Sequence, residues 1–471
     1  MKATALCVSL VALSSVASGG PLSPPNGAVQ PSGKTLVEVE PRRAINATNT
    51  PGNANADFRI VNSGSYYLTQ NETIQANNHV IEIAASDVTV DLNGFTVVGP
   101  IGVGAVVSNV TIRNGTVSAL GGGVGFIGLR QGGNGGDLST IENVTIRNAS
   151  TTVVNVGENS TLKNVRVRGA AGTLGGFIVA GARSTLTDVL VENPQTLGST
   201  CVTAGATSML RNVVTLGGLQ GISAGANSVL QDCRVSQAQG ATGAGIVLGG
   251  GCIASNCVSL NNQGKGFDLA NLCRLTNCEA SENLGGGFVD SNANSVTLTN
   301  CLADGNLNEP GIVAGGFASI VGGTVRGSSF GGISLGSGAR IDGMAVVNTS
   351  GGPAISISSG NIVNCQVVNS SAGGIVAGAR SFVQRTTVNN GGQPGIGIRM
   401  TAFPGRIEDC NIFNCATGYQ CDAPAIAIVR NQFNGNALDG NNAGGPVIFG
   451  PFILNSGDLS DPTAPFGNYN P

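Results

Sequence analysis

Guanidinium groups repeated on a rigid surface can grip carboxylates or sulfates through paired N–H donors. This 471-residue chain carries such a set: Arg113, Arg147 and Arg168 close similar short phrases, and Arg166 precedes the last by two residues. Between residues 105 and 185 seven basic side chains stand against three acids, and between 186 and 310 four stand against nine. The charges are therefore sorted along the chain. Five of the acids, Asp268, Glu279, Glu282, Asp290 and Asp304, fall in successive stretches of similar sequence. Ca²⁺ takes roughly six to eight oxygens of that kind. The expectations are an anion-binding strip at Arg113, Arg147, Arg166 and Arg168, and a Ca²⁺ site at the five acids. Each has a plainer rival. Arginine stems also cover sheet surface while their heads stay in water, and the five acids fall at different places within their stretches, as scattered surface acids do.

Sulfur is the other reactive element. Of twelve cysteines, Cys233, Cys257, Cys278, Cys301, Cys365 and Cys410 occupy one place in the phrase. Cys252 and Cys273 occupy another, where neighbouring stretches carry Ser160, Ser184, Ser208 and Ser228. One cysteine per unit suits compact core packing, whereas metal ligands converge in clusters. Cys415 and Cys421 lie off the column and are expected to form a local disulfide.

The phrase that positions these groups recurs about every 22 residues, as in Asn143-Val-Thr-Ile-Arg, Asn164-Val-Arg-Val-Arg, Asp232-Cys-Arg-Val-Ser and Asn364-Cys-Gln-Val-Val. Copies are counted from Asn109, with degenerate ones at Gly322 and Gly343. A helical pair needs about 33 residues and a propeller blade about 40, so this period fits one coil of a β-solenoid. With 74 Gly, 4% aromatics and no Trp, the composition suits short strands and tight turns. A second motif, such as Gly221-Ile-Ser-Ala or Gly374-Ile-Val-Ala, precedes the first, giving at least two strands per coil.

Period-two alternation separates inside from outside. The residue after the opening Asn/Asp (Val144, Val165, Cys233, Cys257) and the one two further on (Ile146, Val167, Val235, Ser259) should point inward. The fifth residue forms an Asn column (Asn114, Asn148, Asn261, Asn369, Asn414), read as a corner ladder of stacked amides. The outward column turns apolar at Val347, Val368, Val388 and Phe413. The C-terminal Val447, Ile448, Phe449, Phe452 and Ile453 are expected to fold back over it.

These repeats, with Gly64-Ser-Tyr-Tyr-Leu-Thr, Val88-Thr-Val-Asp-Leu-Asn-Gly-Phe, Gly445-Pro-Val and Pro465-Phe-Gly-Asn, resemble secreted bacterial right-handed parallel β-helix repeat proteins of the pectin-lyase-like superfold. The resemblance implies an all-β, single-stranded right-handed parallel β-helix of about 15 coils with N- and C-terminal caps. The expected division is a signal peptide at 1–19, an irregular lead-in at 20–57, the β-helix with its N-terminal cap at 58–436 and a C-terminal cap at 437–471. The superfold includes polysaccharide hydrolases, lyases and epimerases. The hydrolase phrases Asp-Asp, Gly-His-Gly and Arg-x-Lys are missing here, as is the epimerase phrase Asp-Pro-His-Glu, and the single histidine is His79. With four lysines in the chain, a lyase would rely on an arginine base and Ca²⁺. The expectation is therefore a secreted, non-catalytic protein of the cell surface or matrix that binds an anionic polysaccharide. A divergent lyase and an adhesin or assembly module are the alternatives. A pI near 5.3 argues against nucleic acid.

Overall fold

The computed structural model describes residues 41–471 except 76–77, 105, 119–126, 130–136, 149–152, 169–176, 194–199, 291–294, 391–393, 450–451, 454–467 and 470–471. The expected signal peptide, most of the lead-in and the Pro465-Phe-Gly motif lie outside the described residues. From Arg42 onward the chain is one compact unit.

The coils stack into a first, second and third face, either as three short strands, as in Val229–Gln231, Arg234–Ser236 and Ala244–Leu248, or with the first two joined in one strand, as in Thr161–Arg168. Neighbouring coils pair in parallel and in register, with Val229 opposite Ile253, Arg234 opposite Val258 and Ile246 opposite Phe267. The result is a right-handed parallel β-solenoid of about 16 turns with no helix in its described part. Accordingly, no described helix is long and apolar enough to cross a membrane.

The opening Asn/Asp of the phrase is the bend between the first and second faces. Asn143, Asn164, Asp188, Asn212, Asp232, Asn256 and Asn277 all hold φ between 50° and 56°. Asparagine tolerates this left-handed conformation better than most residues. In the degenerate copies Gly322 and Gly343 supply it, at φ 62° and 70°. The exposed amides then bond from coil to coil: Asn164 Nδ2 donates to Asn143 Oδ1 at 3.0 Å, and Asn212 Nδ2 to Asp188 Oδ1 at 2.7 Å. A second left-handed column, Asn109, Leu138, Asn159 and Arg183, precedes the first face.

Both inward columns are buried as expected. Val144, Val165, Cys233, Cys257, Cys278 and Cys301 are at most 2% exposed, and Thr215 and Ser259 are fully covered. Phe267 and Phe288 stack on the third face with centroids 4.9 Å apart. The buried amide ladder lies one position beyond the expected Asn column: Asn262 Nδ2 donates to Asn283 Oδ1 at 2.8 Å, and Asn283 Nδ2 to Asn306 Oδ1 at 2.9 Å. The expected column does form an outer corner, with Asn261, Asn369 and Asn414 left-handed. Asn114, however, belongs to the opening column, because its Oδ1 accepts from Asn143 Nδ2 at 3.2 Å.

Two expectations are corrected at the C-terminal end. Val388 pairs with Val367 and Ile412 and is fully buried, so the outward strip reads Val347, Val368, Asn389, Phe413. Ile448–Phe449 pairs with Ala427–Ile428, extending the first face by another rung and not returning over that strip. Near the N-terminal end of the described residues Arg43–Ala44 pairs with Tyr66 and Tyr67.

Candidate functional site

The second face carries Arg147, Arg166 and Arg168. In the strand Thr161–Arg168 alternation sends Val165 and Val167 inward and leaves Lys163, Arg166 and Arg168 exposed. Arg147 stands directly opposite Arg168 on the preceding coil. Two like charges roughly 5 Å apart along the axis gain nothing from each other. A shared anion between them would relieve the repulsion.

Register dissolves part of the expected strip. Arg113 lies on the first face opposite Asp91 and Glu142, not on the column of Arg147. Its Nε meets Asp91 Oδ2 at 3.1 Å. Burial pushes the Asp91 carboxyl up, but the Asn93 backbone N–H, Asn114 and Arg113 outweigh it and hold the group below the usual carboxylate range. Arg113 is thus a structural partner of a buried acid. Arg168 also holds an acid, Glu192 on the next coil, at 2.7 Å. Arg147 and Arg166 differ, for neither has an acidic partner among the described residues. Arg166 stands between Thr145 and Leu190.

The five candidate Ca²⁺ ligands are divided between two faces. Asp268 and Asp290 belong to third-face strands, while Glu279 and Asp304 lie on the second face and Glu282 directly follows it. Four of them have local partners. Lys265 Nζ reaches Asp268 Oδ1 at 3.1 Å, and the Ser281 hydroxyl donates to Glu279 at 2.7 Å. The Gly315 N–H donates to Asp290 at 3.3 Å, and Arg326 meets Asp304 at 2.6 Å. Among the described residues no group of three or more His, Cys, Asp or Glu is arranged to hold a metal ion. At the N-terminal end a cleft is lined in part by Asn49, Pro51, Arg59 and Tyr66, and there Arg59 is tied to Glu82 at 3.0 Å.

All eleven cysteines from Cys201 to Cys421 are buried and free. The disulfide expected between Cys415 and Cys421 is therefore not formed; each sits in its own packed column. Burial pushes the Cys201 and Cys410 thiols up to about 12, far from a reactive thiolate. Cys252 and Cys273 continue a serine ladder. Ser228 Oγ donates to Gly205 O at 3.3 Å, and the Cys252 and Cys273 thiols repeat that bond to Gly225 O at 3.1 Å and Gly249 O at 3.2 Å.

Three further arginines escape the phrase-by-phrase reading because they occupy unlike positions in it. Arg211 and Arg274 lie on the first face and Arg234 on the second, all exposed.

Against known proteins, the family described as right handed beta helix region matches residues 127–303 and 310–459, more than half of the chain. No curated protein sequence matches it. Among solved structures, a tailspike protein mutant of Escherichia coli bacteriophage HK620 in complex with a pentasaccharide is similar at 10% identity. The likeness covers 82% of this chain and 72% of that one, with a TM-score of 0.34. The mannuronan C-5 epimerase AlgE4 A-module of Azotobacter vinelandii is similar at 12% identity, over 82% of this chain and 91% of that one, with a TM-score of 0.27.

Proposed function

The chain belongs to the right-handed β-helix family, and from that premise we propose that it is a secreted, non-catalytic protein that holds an acidic polysaccharide on its second face around Arg147, Arg166 and Arg168. The carrying observation is the pair Arg147 and Arg166. Both are exposed, on a sheet too rigid to collapse around them, and neither meets an acid among the described residues. Evenly stacked strands keep such side chains at fixed spacing, so little conformational freedom is lost when a stiff polymer binds. The export signal read at residues 1–19 and the low content of charged residues, 10%, suit a protein working outside the cell. The partners already held by Asp268, Glu279, Asp290 and Asp304 favour binding over a Ca²⁺-assisted lyase reaction.

Purified protein incubated with polyuronates and sulfated glycans, with and without Ca²⁺, should bind at least one without generating ultraviolet absorbance from an unsaturated product. The double change Arg147→Ala and Arg166→Ala should weaken that binding by about tenfold, as loss of two charge-assisted contacts predicts. New absorbance that disappears on chelation would replace this reading with the lyase. Absence of binding to every polymer would remove it.

A further inference from the structure

Arg211, Arg234 and Arg274 share a property with Arg147 and Arg166: every residue opposite them on the adjoining coils is uncharged or basic. Arg211 stands between Thr187 and Gln231, Arg234 between Val214 and Val258, and Arg274 between Ile253 and Thr297. Arg147 stands between Ser118 and Arg168. None of the five has an acidic partner among the described residues. By contrast Arg113, Arg168, Arg183, Arg326, Arg340, Arg399, Arg406 and Arg430 are all ion-paired.

The five lie on the first and second faces, which share the bend at the opening Asn/Asp. From the strand ending at Arg147 to the strand beginning at Arg274 there are six coil steps, roughly 29 Å at roughly 4.8 Å per step. We propose that Arg211, Arg234 and Arg274 extend the Arg147/Arg166 site into one axial track for a long linear polysaccharide bearing carboxylates or sulfates, lying parallel to the solenoid axis. This rests on the polysaccharide reading and adds orientation and length to it.

The acids near the track are few or occupied. Glu192 is bound to Arg168, and Asp188 and Asp232 accept from Asn212 and Asn256 in the bend ladder. Glu142 stands at one end, opposite Arg113 and Lys163, and Glu279 at the other, accepting from Ser281. Between the arginines the first-face column runs Met209, Val229, Ile253, which are 53%, 37% and 46% exposed. Such a floor can receive the C–H faces of sugar rings. No aromatic side chain stands on these two faces between Thr140 and Ser281 among the described residues. Single-stranded nucleic acid, which is held largely by stacking on aromatic rings, therefore fits poorly.

Calorimetric titration of the full chain with tetrasaccharides and dodecasaccharides of polygalacturonate and of heparin tests the track. The dodecasaccharide of the polymer that binds should bind about tenfold more tightly than its tetrasaccharide. The triple variant Arg211→Gln, Arg234→Gln, Arg274→Gln should lose that gain, the product of three exposed ion contacts of a few-fold each. Arg326→Gln, which alters a paired arginine elsewhere, should keep it. A triple variant that retains the full length dependence overturns the track and leaves the Arg147/Arg166 reading standing. If the unaltered protein binds neither length of either polymer, the polysaccharide reading falls and the track with it. An oligodeoxythymidylate that binds more tightly than either dodecasaccharide would overturn the choice of polymer.

Discussion

Arg147, Arg166, Arg211, Arg234 and Arg274 have no acidic partner among the described residues, whereas Arg326, Arg340, Arg399, Arg406 and Arg430 on later coils each hold a carboxylate. Except for Arg399, which stands on the third-face strand Ile396–Met400, both groups project from the first and second faces or from the bends and turns that border them. What differs is the neighbourhood across coils or within the strand. Near the C-terminus Glu408, 6% exposed, accepts from Arg406 at 2.7 Å, from Gln384 at 2.9 Å and from Arg430. Arg430 also bonds Asp409, and that guanidinium holds the Asp409 carboxyl below the usual carboxylate range. There arginine is mortar between coils. In the middle of the solenoid Arg211, Arg234 and Arg274 face valine, isoleucine, threonine or glutamine and have no acidic partner among the described residues.

The contrast can be broken from inside as well as outside. Seven of the eleven buried thiols lie between Cys201 and Cys301, beneath the unpaired arginines. A buried thiol whose folded pKa is raised above its unfolded value stabilises fully below about pH 9, and that stability is lost as pH rises toward the folded value. For Cys201 and Cys410, both pushed up to about 12, the loss begins above about pH 9 and runs at roughly 1 kcal/mol per pH unit for each thiol. Between Cys201 and Cys301 the thiols of Cys201, Cys233, Cys252, Cys273 and Cys278 are raised, and summed over these five this is the largest effect expected. Alkaline unfolding followed by hydrogen exchange should open the 201–301 coils before the cysteine-free coils between 304 and 364. Simultaneous opening would show that the thiol column does not set regional stability.

Glu408→Ala should come next, costing about 2 kcal/mol by leaving Arg406, Arg430 and Gln384 without their shared acceptor. Chemical denaturation would measure it. A loss below about 0.5 kcal/mol, the ordinary cost of a surface change, would mean that the C-terminal pairs are ornamental.

The smallest effect on stability, and the most direct test of the contrast, is Val258→Glu. It places a carboxylate opposite Arg234 and so gives a middle coil the C-terminal arrangement. Stability should move by no more than about 0.5 kcal/mol, while dodecasaccharide affinity falls several-fold. Unchanged affinity would separate arginine pairing from ligand access.

Much of the solenoid was legible in the sequence because alternation and a steady period are local. The inward columns at Val144, Cys233 and Thr215 followed from spacing within one phrase. The site was less legible. Asn109 and Asn114 are both left-handed, at φ 55° and 58°, so Asn109-Val-Thr-Ile-Arg imitates the phrase that Asn114 begins in the folded protein. Counting from Asn109 set Arg113 in column with Arg147, although it stands one face earlier. A slip of one residue at Arg385, also left-handed at φ 46°, likewise turned Val388 outward on paper and inward in the fold. The five Ca²⁺ candidates shared successive coils but not a face, a difference that a list of positions conceals.

The sequence by itself determined the coil: its period, its buried columns, the Asn corner column and the packing role of the cysteine column. These follow from side-chain size and backbone preference over a handful of residues. The tertiary structure alone decided which charge meets which. Cross-coil partners lie 20 or more residues apart, as Arg168 and Glu192 do, and a single inserted residue changes the pairing. Ion-pair energy depends on distances of a few ångströms. Stacking the coils in one register is therefore what made Arg113 a brace and left Arg147 and Arg166 open to a ligand.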